Sequence, residues 1–313
     1  MPEVYPSGCV DSPAVSASYR PSGVLVPLVT PFDDRGAVDL AALHGLATRA
    51  LDAGARGVVA LATTGEPTSL DDEERAAVLA ACADACAGRE ATLVVGAGTN
   101  DTRTTIARHE ALAGVPGATA SLAVVPYYVR PSEAAIVCHF QAVAERSPVP
   151  LVVYNIPYRT GRGLGAAALL ELAATDNIAG VKQAVGCVDA DTLRVLAEAG
   201  DRFAVLGGDD AFLLPLVLMG GAGAIAASAN LCTGQFCDMI ARGLRGDVAG
   251  ARPIAEALLP LVGALFSEPS PAVIKAALHA LGRIPTADVR MPLSPASPEG
   301  GARAVELLRH LEP

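Results

Sequence analysis

Gly23-Val24-Leu25-Val26-Pro27-Leu28-Val29 is an apolar run that passes straight into the proline turn Thr30-Pro31-Phe32. A run with no polar alternation reads as a strand covered on both faces, the mark of a parallel sheet. The turn after this strand separates two parallel architectures. A doubly wound sheet places a glycine-rich loop after its first strand, so that bare backbone amides approach a pyrophosphate. Here Thr30-Pro31-Phe32 contains no glycine, and that architecture is disfavoured.

Working outward, seven further runs read the same way: Gly57–Leu61, Thr92–Gly96, Ala120–Val125, Leu151–Tyr154, Ile178–Lys182, Phe203–Leu206 and Gly223–Ala227. Between them lie helical spacings over Asp39–Ala53, Asp71–Ala87, Thr102–Ala113, Ser132–Arg146, Ala166–Ala173, Asp189–Ala199 and Asp210–Met219, several opened by an Asp, Ser or Thr cap. Eight β–α units in about 220 residues predict an α/β fold, a (β/α)8 TIM barrel. Three more helical patterns, near Val248–Phe266, Pro271–Leu281 and Glu299–Leu311, predict a C-terminal helical appendage, with Pro292, Pro295 and Pro298 marking a loop before the last. The expected organisation is a flexible N-terminal tail over 1–20, a catalytic barrel over 21–245 and a three-helix appendage over 246–313.

Composition sets limits on partners. Hydrophobic residues make up 51% of the 313 but aromatics only 4%, as expected for helices packed through small side chains. A net charge of −10 spread along the chain disfavours nucleic acid and anionic membranes. Two long stretches with little charge, Ala111–Arg130 and Ala211–Cys237, are broken by Pro116, Pro126, Pro215 and glycines, so neither reads as a membrane span. Residues 1–20 lack the basic start and apolar core of a secretory signal. Seven scattered cysteines, an odd number without a CxxC pair, fit reduced thiols in the cytoplasm and neither a disulfide framework nor a metal site. Cys82 and Cys86, one turn apart, read as small buried side chains. No cofactor is expected.

Active sites of this architecture lie where the strands end. The sixth strand ends on Lys182 after Ile178-Ala179-Gly180-Val181, and burial there lowers an amine's pKa towards neutrality. A neutral amine attacks a ketone, and the resulting iminium acidifies the adjacent carbon without metal or cofactor. The alternative is a lysine that snorkels to water or pairs with a carboxylate. Tyr154, Tyr128 and Thr63, each at or just past a strand end, are candidates for a hydroxyl relay that moves the required protons. Arg159, in the loop after the fifth strand, is suited to clamping a carboxylate, although a loop arginine is more often simply solvated. Gly207-Gly208-Asp209-Asp210 and Gly220-Gly221-Ala222-Gly223 lack neighbouring cations and read as close backbone approaches and not as a phosphate cradle.

Taken in order, Val29-Thr30-Pro31-Phe32, Thr63-Thr64-Gly65-Glu66, Gly96-Ala97-Gly98-Thr99-Asn100, Pro126-Tyr127-Tyr128, Tyr154-Asn155-Ile156-Pro157-Tyr158-Arg159-Thr160-Gly161, Gly180-Val181-Lys182 and Gly208-Asp209-Asp210 resemble the dihydrodipicolinate synthase and N-acetylneuraminate lyase superfamily. The resemblance implies that Lys182 forms the Schiff base and Tyr154 is its acid/base, with Thr63 linking Tyr154 to Tyr128 and Thr64 holding the carboxylate of pyruvate. It implies that Arg159 receives the second substrate's carboxylate, and that Gly208 and Ile225 line the pocket. Tyr128 is expected to reach into a neighbouring subunit's site, so a homodimer or homotetramer is expected.

The leading functional expectation is condensation of pyruvate with L-aspartate-4-semialdehyde to 4-hydroxy-tetrahydrodipicolinate. Alternatives are another pyruvate-dependent aldolase or dehydratase, with a sugar-acid or secondary-metabolite substrate, or a non-catalytic barrel that only binds. Three departures concern the substrate and leave the relay intact: Ala62 for glycine, Pro67 where serine, alanine or an aromatic is more usual, and Gln183 for glutamate. The superfamily's lysine-inhibition site, where present, maps here onto Pro67, Thr68, Asp72, Arg75, Asn100, Thr104 and Tyr127. Only the asparagine and the tyrosine match, which predicts poor feedback inhibition.

Overall fold

The computed structural model describes residues 19–311. Most of the expected tail, with Cys9, lies outside the described residues. Eight parallel strands close into a barrel in the order β1 to β8: Gly23–Pro27, Gly57–Ala60, Thr92–Gly96, Ala118–Val124, Leu151–Asn155, Ile178–Gln183, Ala204–Gly207 and Gly223–Ile225. All eight lie within the expected runs or overlap them, with no end displaced by more than two residues. Closure is direct, since Gly23, Val24 and Leu25 of β1 pair with Gly223, Ala224 and Ile225 of β8.

The connecting helices are α1 (Leu40–Asp52), α2 (Asp72–Cys86), α3 (Thr102–Glu110), α4 (Glu133–Arg146), the single turn α5 (Pro157–Thr160), α6 (Ala166–Ala173), α7 (Ala190–Glu198) and α8 (Leu213–Leu218). Side chains of Asp39, Asp71, Asp101, Ser132 and Asp189 accept from backbone amides at five of these starts, and Asp71 with Glu74 forms a reciprocal capping box. The sequence reading missed α9 (Ala229–Leu244), which completes the eighth unit. No side chain caps its start, and Cys232 departs from helical geometry at φ −130°, ψ 54°, so the usual markers of a helix are absent. Beyond it come α10 (Val248–Leu265), α11 (Ala272–Ala280) and α12 (Pro298–Arg309).

Alternation along the strands sorts side chains between two cores. Leu25, Val59, Val94, Val152 and Tyr154 fill the barrel interior, while Val58, Leu93, Val95, Leu151 and Val153 face the helices. Gly180 keeps β6 close to β7: a Cβ there would sit 2.2 Å from the Ala204 carbonyl oxygen. Cys82 and Cys86 are buried free thiols in the outer core. Helix α10 is long and apolar enough to cross a bilayer by length and composition, but Ala251, Leu258, Leu261, Val262 and Leu265 on it are buried in the protein. Its C-terminal end, with Val262 and Phe266, borders a cavity at the barrel mouth.

Candidate active site

Register sets the centre of the site. Tyr154 on β5 pairs with Val124 on β4 and with Lys182 on β6, so the tyrosine and the lysine stand side by side at the top of the barrel. Lys182 is 5% exposed, and its Nζ lies 4.2 Å from the centroid of the Tyr154 ring. A Cβ on Gly208 would come within 2.8 Å of the Lys182 Cε, so only a bare backbone leaves the lysine its place. Thr63 and Thr64 sit on a single 3-10 turn, Thr63–Gly65, directly after β2.

Of the eight candidate residues, seven line one cavity of about 530 Å³: Lys182, Tyr154, Thr63, Thr64, Arg159, Gly208 and Ile225. Thr63, Tyr154 and Arg159 also border a second cavity of about 640 Å³, so the two meet at the relay. Tyr128 is not brought to this centre. It is 88% exposed at φ 70°, whereas its neighbour Tyr127 lines the larger cavity.

The electrostatics favour a reactive amine. Burial pulls the Lys182 pKa down to about 8, against the attraction of Asp210 and Asp209, and the positive charge of Arg159 lowers it further. Among the described residues Lys182 makes no ion pair within 4.0 Å. Roughly a tenth of such amines are neutral at pH 7, several hundred times the fraction of an ordinary lysine. Burial pushes the Tyr154 hydroxyl well above its usual range, so it holds its proton, while Arg159 and a hydrogen bond with Thr63 act the other way.

Sequence reasoning passed over several groups that the fold brings here. Asp209 and Asp210, set aside with a glycine-rich piece, both line the cavity. Asp209 Oδ2 accepts from the Gly186 amide at 2.6 Å, and Asp210 Oδ2 accepts from the Ser228 amide at 2.7 Å. Burial raises both carboxyls, and the nearby Lys182 charge lowers them. Their position at the end of β7 was the available signal. Gln183 points away into a neutral network: its Oε1 accepts from Asn155 at 3.0 Å and its Nε2 donates to Thr192 at 2.9 Å.

Residues 20–311 match the dihydrodipicolinate synthetase family. The chain belongs to this family. A 4-hydroxy-tetrahydrodipicolinate synthase of Neisseria meningitidis is 39% identical over 287 residues, 92% of this chain and 97% of the relative. The chloride-inhibited dihydrodipicolinate synthase of Acinetobacter baumannii complexed with pyruvate superposes with a TM-score of 0.88 at 32% identity, covering 92% of this chain and 98% of that one. The dihydrodipicolinate synthase of Cyanidioschyzon merolae with lysine bound gives 0.87 at 30%, covering 92% and 97%. The protein is therefore an enzyme, a lyase of the dihydrodipicolinate synthetase family on a TIM barrel.

Proposed function

We propose that this lyase condenses pyruvate with L-aspartate-4-semialdehyde to 4-hydroxy-tetrahydrodipicolinate, a step of lysine biosynthesis, through a Schiff base on Lys182. The observation that carries the reading is a buried amine, with no ion-pair partner among the described residues, against the Tyr154 ring. The neutral Nζ adds to the ketone carbon of pyruvate. Loss of water leaves an iminium, and removal of a methyl proton gives an enamine that attacks the aldehyde carbon. The amino group of the semialdehyde then adds to the regenerated iminium carbon and expels the Lys182 amine, which closes the C=N ring of the product and leaves the earlier water as the only by-product.

Each step moves a proton, and Tyr154 with Thr63 supplies the adjoining hydroxyls. In this reading Thr64 and its turn seat the pyruvate carboxylate, and Gly208 and Ile225 wall the pocket. Arg159, at the junction of the two cavities, meets the carboxylate of the second substrate. The exposed Tyr128 supports a relay completed across a subunit boundary, and hence a homodimer or a pair of dimers.

The chain contains two lysines, Lys182 and Lys275, and this makes the test sharp. Pyruvate with borohydride is expected to leave one reduced adduct, located by peptide mass at Lys182. No adduct, or one at Lys275, would overturn the mechanism. Offering the enamine a panel of aldehydes and weighing the products identifies the electrophile. A sugar-acid product in place of the amino-acid-derived one would replace the leading substrate.

A further inference from the structure

The turn that bears Thr63 and Thr64 closes with the Gly65 amide on the Ala62 carbonyl at 2.8 Å and is tied at the Gly65 carbonyl by Thr30 Oγ1 at 2.7 Å, and its far end has a third support. It ends on Glu66 in the left-handed conformation, φ 53° and ψ 44°, which a residue with a side chain seldom adopts. The Glu66 amide donates back to the Thr63 carbonyl at 3.2 Å, so the pitch of the turn depends on where Glu66 sits. Its side chain is 2% exposed, and neither carboxylate oxygen faces water. Oε1 accepts from Lys275 Nζ at 2.8 Å, and Oε2 accepts from the Arg290 backbone amide at 2.8 Å. Both donors belong to the C-terminal region, 209 and 224 residues further along the chain.

The donors are fixed in turn. Lys275 on α11 is 0% exposed, with Nζ 4.0 Å from the Phe32 ring centroid, and the Arg290 guanidinium lies 4.4 Å from the same ring. Arg290 Nη1 donates to the Ser69 carbonyl at 2.8 Å, and its two nitrogens grip the Glu74 carboxylate at the start of α2. Two acids and two cations thus tie the end of β1, the threonine turn and α2 to residues beyond the barrel. A buried carboxylate deprived of its cation is destabilised unless it takes up a proton or shifts, and any shift of Glu66 pulls on the turn it ends.

We infer that the C-terminal region is part of the catalytic apparatus, with Lys275 and Arg290 as positioning residues that set the turn presenting Thr63 and Thr64 to pyruvate. The inference rests on the Schiff-base reading of Lys182. A pair that only stabilised the fold would alter melting temperature and leave the affinity of folded enzyme for pyruvate untouched.

The experiment compares full-length wild type, Lys275→Met, Glu66→Gln/Lys275→Met and Arg290→Met. It measures thermal unfolding, the pyruvate concentration giving half-maximal borohydride adduct, and turnover per folded molecule. The double variant leaves no charge unpaired, so it is expected to melt above Lys275→Met yet still need about tenfold more pyruvate, because the turn has lost its tie to α11. Arg290→Met, which keeps the backbone bond to Glu66, is expected to shift the pyruvate requirement about threefold. Half-saturation within twofold of wild type in the double variant overturns the inference. If neither Lys275 variant folds, an unchanged value in Arg290→Met overturns it instead. Wild type that traps no adduct at all refutes the Schiff-base reading and this inference with it, an outcome seen before any variant is compared.

Discussion

Lys182 and Lys275 are the two lysines of the chain; both are buried, in contrasting surroundings. Lys275 has a carboxylate at 2.8 Å and an aromatic face at 4.0 Å, so its charge is matched where it stands. Lys182 has an aromatic face at 4.2 Å, and its attraction to Asp209 and Asp210 falls short of a salt bridge. For both, burial is the leading cause that lowers the pKa; Glu66, as contact pair and hydrogen-bond acceptor, opposes it at Lys275. Burial therefore does not by itself make a lysine a nucleophile. The two differ in the contact pair: a carboxylate at 2.8 Å favours the charged form of Lys275, and none stands within salt-bridge distance of Lys182 among the described residues.

The contrast can be broken most severely at Lys182. Lys182→Ala is expected to remove the pyruvate adduct and to lower turnover by about 10⁴-fold or more, since among the described residues no other amine lines the cavity. The fold should survive, because the change deletes no buried ion pair. Retained adduct formation would transfer the nucleophile's role to Lys275 and reverse the comparison. Next in size is Arg159→Ala. Loss of one charge-assisted clamp costs roughly 2 kcal/mol, about thirtyfold in use of a carboxylated aldehyde, with pyruvate trapping nearly unchanged. Equal loss in both steps would make Arg159 part of the pyruvate seat.

A pH series sharpens the comparison further. Only the neutral amine attacks, and the Lys182 pKa is lowered to about 8, so imine formation at subsaturating pyruvate should rise about tenfold per pH unit up to that value and level off above it. A rise continuing past pH 10 would mean that Lys182 titrates as an ordinary lysine. The Glu66–Lys275 pair lies outside this titration, and the Lys275→Met variant should show the same midpoint.

The barrel was legible because strands covered on both faces leave continuous apolar runs, and because Asp or Ser caps mark most of the helix starts. The helix α9 was not, since its start has no side-chain cap and it bends at Cys232. The lysine and the tyrosine could be read from their places at strand ends. Lys275 could not: it lies in Ala272-Val273-Ile274-Lys275-Ala276-Ala277 as a single polar residue on a helix, and its meaning depends on Glu66, 209 residues earlier. Tyr128 is the reverse case. The resemblance singled it out, but the single chain leaves it 88% exposed and away from the cavity that gathers the other seven.

The smallest expected effect concerns a third lysine, the free amino acid. Pro67, Thr68, Asp72, Arg75, Asn100, Thr104 and Tyr127, the positions onto which the superfamily's inhibitory site maps, all line the 640 Å³ cavity. These positions therefore share one chamber. Thr104 offers it a neutral hydroxyl and no carboxylate. Arg75 and Arg108 line the same wall, and burial together with the Arg108 charge lowers the Arg75 pKa, as expected for two cations sharing one space. Asp72 acts on Arg75 in the opposite sense, although no ion pair within 4.0 Å joins the two. An incoming ammonium would meet two guanidiniums, and at an effective dielectric of about 20 each cation a few ångströms away opposes it by kcal/mol, not tenths. What Lys275 obtains from Glu66 is thus missing for free lysine at this wall. Titration at saturating pyruvate should show less than about twofold inhibition at 1 mM lysine, corresponding to a Kd weaker than about 1 mM. Strong inhibition below that concentration would mean that Asp72 or Asp101 swings to take the ammonium, and Asp72→Asn or Asp101→Asn, respectively, should then abolish it.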